Sequence, residues 1–245
     1  MFQPLVVPAR TIPTLPQGTA PDLFTLGRLA SAERNSRHGN ACVFSRSKRL
    51  LSTGAWHGPK DAADSFIEDA DVQANGGLVA CATAGVRTVL ASNLDSARDA
   101  QALGFRVLLR VPFQSGEPLV ARNERLSAIQ DANNHGVSLH GVVPTAIGEA
   151  FGIDTLLFMA ACRTQLSVPH VVADFARLGH RLAQMSLAFG ASELMGPIVS
   201  ERALRLGDNA NNPAMTRKEV ILFIQAAGLA AHERHAAGRV EEVTI

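Results

Sequence analysis

The 245-residue chain has no tyrosine, one tryptophan and three cysteines. The missing tyrosine is a compositional bias and excludes nothing. The cysteines exclude more. Cys42, Cys81 and Cys162 are odd in number and far apart, which is neither a disulfide framework nor a zinc knuckle. A reduced, cytoplasmic setting is the expectation that follows. An excess of one charge is also lacking. The formal net charge is +1 and no run of about five or six basic residues occurs, so nucleic acid and anionic membrane are not expected partners. No uncharged apolar stretch reaches the roughly 18 residues of a membrane span. HxH, HExxH, Cys–His, GxSxG, P-loop and GxGxxG patterns are all missing, so no metal site and no nucleotide fingerprint is expected. His232 and His235, the tightest histidine pair, read as solvent-facing.

What is present is a core-forming composition, 47% apolar and 18% charged, which supports a folded domain and argues against disorder. Residues 1–20, which open "MFQPLVVPARTIPTLPQG" with four prolines, read as an extended arm. Residues 21–245 read as one α/β domain. Its first helix, "DLFTLGRLASAERNSRHG", has Asp22 as N-cap and Gly39 as stop, and "ACVFSRS" is the first strand. "TGAWHGPKDAAD" reads as a loop, with Trp56 an odd aromatic in it. "LVACA", "RTVLAS", "FRVLLRVPF", "VSLHGVVPTA" and "VPHVVADF" read as strands, and "ASELMGPI" as a short strand or turn. The helices "LDSARDAQALG", "PLVARNERLSAIQDANNHG", "GIDTLLFMAACRTQL" and "ARLGHRLAQMSLAFG" alternate with them. Thr216 and Glu219 have capping-box spacing at the start of a last helix that Gly228 stops. Six or seven strands alternating with helices predict a mostly parallel sheet, a shortened or incomplete TIM-type (β/α) barrel or an open doubly wound sheet.

In parallel α/β folds, ligands bind at the carboxyl ends of strands. Applied to these strands, the rule selects Glu117, Glu149, Asp174 and Glu193 as candidate acids or bases. It also selects Asn93, Ser115, Gly116 and Thr145 as ligand-binding candidates.

"VPHVVADF" followed by "LGHRLAQMSLAFGASELMGP" resembles the C-terminal signature of a radical-SAM subfamily. That subfamily holds aminofutalosine synthase, cyclic dehypoxanthine futalosine synthase and deazaflavin (FO) synthase, where the pattern is "xPHIxxxW" and then "LGxKLAQVALxFGADDLxGT". "MTRKEVILFIQAAGLAAHER" is similar to the family's closing "TRxEIxxLIREAGFxPxxR". The resemblance implies a barrel and adds His170 and Ser192 to the ligand-binding candidates. It also implies a CxxxCxxC loop holding three irons of a [4Fe–4S] cluster, with S-adenosylmethionine on the fourth. After the first strand this chain reads "KRLLSTGAWHGPKD", without cysteine. The expectation is therefore no iron–sulfur cluster, no bound S-adenosylmethionine and no radical chemistry. A non-catalytic ligand-binding or auxiliary subunit of futalosine-type menaquinone synthesis follows. The alternative is a cluster-free lyase, isomerase or hydrolase acting on a nucleoside-like or chorismate-derived small molecule through the mouth carboxylates. A third reading is an assembly module whose mouth is closed by its own side chains. A shortened barrel leaves a sheet edge, so a homodimer, or a heterodimer with an active homologue, is the expected assembly.

Overall fold

A computed structural model describes residues 23–60, 62–149, 152–200, 214–235 and 238–245. The expected arm at residues 1–20 and the N-cap at Asp22 lie outside them. The helix α1 (Leu23–His38) leads through Gly39 into β1 (Ala41–Phe44). Next come β2 (Ser47–Leu50), β3 (Trp56–His57) and β4 (Asp64–Glu68), then α2 (Asp69–Val72) and α3 (Gly77–Thr83). A regular alternation follows: β5 (Thr88–Ala91), α4 (Leu94–Ala102), β6 (Arg106–Phe113), α5 (Leu119–Asn134), β7 (Gly141–Ala146), α6 (Gly152–Gln165) and β8 (His170–Asp174). The described chain ends with α7 (Phe175–Leu178), α8 (His180–Leu187), β9 (Glu193–Met195), β10 (Ile198–Val199), β11 (Met215–Thr216), α9 (Arg217–Ala226), β12 (Ala230–Arg234) and β13 (Val240–Glu242).

Eleven strands form one sheet in the order β13-β12-β1-β9-β8-β7-β6-β5-β4-β2-β3. Every neighbouring pair is parallel except β12–β13 and β2–β3. Only Ser45 and Arg46 separate β1 from β2, although the two strands lie near opposite flanks of that order. The sheet must therefore curl round to bring its flanks together. In a complete (β/α)8 barrel the last strand sits between the seventh and the first. Here β1 pairs directly with β9, and β12 lies on the other side of β1. The fold is an incomplete TIM-type barrel.

The strands form because β-branched and leucine residues pack on both faces, as in parallel sheets covered by helices. On the outer face, Val89, Val107, Leu109, Val142, Val171 and Ala173 belong to a core that also buries Leu126, Phe158, Leu187 and Ile224 from the helices. On the inner face, β5 to β8 contribute Leu90, Leu108, Val143 and Val172, with Met195 of β9 packed against them. This middle layer closes the barrel axis with apolar side chains. None of the described helices is long and apolar enough to cross a membrane.

Three sequence expectations change. "LVACA" is not a strand but the helix α3. Gly76 and Gly77 both have positive φ, which turns the chain away from β4 and makes this segment the crossover to β5. The expected single helix over "ARLGHRLAQMSLAFG" is two, α7 and α8. It breaks at Gly179, whose φ of 74° and ψ of 158° leave helical space. The loop around Trp56 contains β3, which pairs antiparallel with β2, and Lys48 Nζ sits 4.4 Å over the Trp56 ring. The capping box at Thr216 and Glu219 forms as read.

Candidate functional site

The inner face carries two polar layers, one at each end of the apolar one. The layer at the strands' carboxyl ends is the mouth. Glu68, the last residue of β4, pairs with Arg49 at 2.7 Å and with Arg110 at 3.2 Å, and Arg49 also holds Asp71 at 2.8 Å. Across from them Asp174 ends β8, buried, with its carboxylate accepting the Ala176 N–H at 3.0 Å and Arg177 3.5 Å away. Burial raises the Asp174 pKa, and Arg177 and the backbone donors only partly offset that. The Nε atoms of Arg49 and Arg110 are buried without hydrogen-bond partners. The mouth is therefore an ion-paired surface with one reluctant carboxylate.

The opposite end is the floor. Asp64, Thr88, Arg106, His170 and Glu193 each open a strand, and His140 immediately precedes β7. Arg106 pairs with Asp64 at 2.5 Å, and the Thr88 hydroxyl lies 3.4 Å from the same carboxylate. Arg234 of β12 donates to both oxygens of Glu193, at 2.5 and 2.8 Å. His140 Nε2 and His170 Nδ1 stand 3.4 and 3.7 Å from Glu193 Oε2. Burial opposes ionisation of Glu193, but Arg234 outweighs it and holds the carboxyl well below its usual range. Burial also lowers the pKa of both imidazoles, so they are held neutral. Between floor and apolar layer is a cavity of about 20 Å³, lined by Ser45, Thr88, Arg106 and Glu193 among others, room for roughly one water.

The structure separates the sequence candidates. Asp174 is at the mouth as expected. Thr145 is in β7 with its hydroxyl turned to the Val143 carbonyl, and Asn93 caps α4 by accepting the Ser96 N–H. Ser115 and Gly116 lie in the β6–α5 loop, and Glu149 is exposed in the loop after β7. Glu117 is bound by Arg125 at 2.9 Å and Arg122 at 3.3 Å, which overcome its burial and lower its pKa. Its job is to anchor the start of α5. Glu193 is a correction. It begins β9 rather than following a strand, so it lies at the floor, because the turn 188–192 precedes the strand and Gly196 follows it. His170 and Ser192 are at the floor for the same reason. Arg163 of α6 donates to Ser192 Oγ at 2.8 Å and to the Gly190 carbonyl at 2.9 Å, tying that turn in place. The expectation of no metal-type cluster rested on local spacing. Strand register brings His140, His170 and Glu193 together, with ligating atoms within 4.8 Å of one another. Glu68, Arg49 and Arg110 were missed at the mouth, although Glu68 closes an apolar strand just as Asp174 does.

No protein-family profile matches the chain. It is 32% identical over 86 residues to aminodeoxyfutalosine synthase from Thermus thermophilus, which covers 35% of this chain and 23% of that protein. The chain is a relative of the radical-SAM enzymes. It thus spans about a quarter of the length of the curated relative it matches. Among solved structures, methylornithine synthase superposes with a TM-score of 0.64 at 10% identity, over 86% of this chain and 90% of that one. The FeFe-hydrogenase maturase HydG from Carboxydothermus hydrogenoformans gives 0.55 at 10% identity, over 87% and 73%. At such identities these likenesses establish the barrel alone.

The residues present do not fit a radical-SAM cluster. The three thiols lie on β1, α3 and α6, all buried in the outer core. Burial pushes the Cys42 thiol up and the Cys162 thiol up to about 12. A cluster needs accessible thiolates held together, and these three are spread over separate elements and sealed from solvent.

Proposed function

We propose that this radical-SAM relative is non-catalytic and works as an auxiliary subunit linked to futalosine-type menaquinone synthesis. One observation carries the reading. The three cysteines are buried on β1, α3 and α6, so no thiol trio stands at the mouth to hold a cluster. With no thiol trio, it binds neither cluster nor S-adenosylmethionine. Its partner is an active homologue or a second copy of itself, in the cytoplasm.

A second reading has one observation in its favour. Asp174 is a buried mouth carboxyl with a raised pKa, the state a general acid or base needs. A cluster-free enzyme on a nucleoside-like or chorismate-derived molecule would use it. One experiment separates the two: delete the gene in its host, measure menaquinone, and complement with wild type or Asp174→Asn. Loss of menaquinone restored equally by both supports the auxiliary role. Restoration by wild type alone supports the enzyme. Unchanged menaquinone on deletion overturns the link to that route. Iron and sulfide bound stoichiometrically after anaerobic reconstitution would overturn the non-radical reading itself.

A further inference from the structure

The floor of the barrel contains an arrangement that neither reading uses. We propose that His140, His170 and Glu193 form a binding site for a divalent first-row transition ion. Two imidazoles and one carboxylate at the starts of three adjacent strands, His140 just ahead of β7, are the donor set that such ions take with open coordination positions. Metal–ligand bonds of about 2.0–2.2 Å put neighbouring ligand atoms roughly 3–3.6 Å apart. The spacings of 3.4 and 3.7 Å to Glu193 Oε2 already approach that. His140 Nε2 is buried and lacks a satisfying hydrogen bond, its contact with Glu193 being an ion-pair distance only.

The surroundings support the donors. Ligating carboxylates and imidazoles are normally oriented by further hydrogen bonds. Arg234 grips both Glu193 oxygens, and a carboxylate has about four lone-pair sites, so roughly two remain for an ion. Ser192 Oγ lies 3.1 Å from His170 Nδ1, and its hydroxyl hydrogen rotates to release that lone pair. The ring of His38 stacks on His170 at 4.7 Å between centroids and fixes its plane. The His140 side chain is 25% exposed and provides the way in. Arg234 and Arg106 oppose a second positive charge, and Asp64 neutralises only Arg106. The expected affinity is therefore micromolar rather than nanomolar.

The test is titration of the full, chelator-treated chain with Co2+, followed by visible absorption, and with Zn2+, followed by calorimetry. One equivalent should bind, with d–d bands showing nitrogen and oxygen ligands. His140→Gln and Glu193→Gln should weaken binding at least tenfold, while the surface change His235→Gln should not. Absence of saturable uptake, or uptake unchanged in His140→Gln, overturns the site. Should the variants fail to fold, proton NMR of the wild-type Co2+ protein decides. Paramagnetically shifted imidazole N–H signals from two histidines support the site, and none or one overturns it.

Discussion

Asp174 illustrates at the residue scale how position changes chemistry. Its folded-state pKa is raised, so folding favours its protonated form. Stability is therefore lost as pH rises from the unfolded-state value, about 3.9, through the folded-state one. Asp174→Asn removes that charge and keeps an oxygen for the Ala176 cap. We expect the variant to be more stable than wild type at pH 7 and equal to it well below pH 4. Urea denaturation at both pH values checks this, and a variant less stable at pH 7 would contradict it. Glu193 is the opposite case, a carboxylate held ionised by Arg234 although both are 4% exposed. Removing one partner of a buried pair costs about 3–5 kcal/mol. Arg234→Ala should lose that much, and Arg234→Met with Glu193→Gln should recover most of it. A loss under about 1 kcal/mol for Arg234→Ala would mean the floor is hydrated rather than sealed.

At the element scale, the turn between α8 and β9 shows what the recognised signature does here. The peptide "FGASEL" contains Gly190 with φ of 93°, and a Cβ there would stand 2.6 Å from Arg163 Cβ. Arg163 is fully buried, and burial lowers its pKa to about 9. Its guanidinium binds the Gly190 and Pro169 carbonyls and Ser192 Oγ, joining α6 to the openings of β8 and β9. Gly190→Ala thus adds a clash to left-handed strain and should cost at least about 2 kcal/mol. Gly148→Ala, with φ of 71° and open space around it, should cost only about 1 kcal/mol. Equal losses in the two would show that strain alone matters. The longer helices and six of the thirteen described strands were legible in periodicity and caps, as at Gly39 and Thr216. "LVACA" was not, because a short apolar run fits either strand or helix. Only the need to cross from β4 to β5 makes it a helix.

For the whole molecule, the curled sheet buries all three thiols. A thiol reagent reacts through thiolate at an accessible sulfur. Ellman's reagent should therefore find no reactive cysteine in the native chain and three in guanidinium chloride. A native thiol reacting within minutes would indicate that the incomplete barrel opens. The same closure explains why three of the ten candidate residues, His170, Ser192 and Glu193, lie at the floor instead. The rule of carboxyl-end ligands correctly took Asp174 to the mouth. It also drew Glu193 there, because the start of a three-residue strand cannot be told from the end of one without its neighbours.

By itself, the sequence determined much of the alternation of helix and strand, the lack of a cysteine loop after the first strand and the resemblance of its C-terminal motifs. These depend on residue identity and local spacing. The tertiary structure alone decided which polar residues meet. His140, His170, Glu193 and Arg234 are scattered over 95 positions. Each looks ordinary in its own segment. They become one buried network only because strand register and the curl of the sheet bring the starts of β8 and β9, and the residue before β7, against the end of β12.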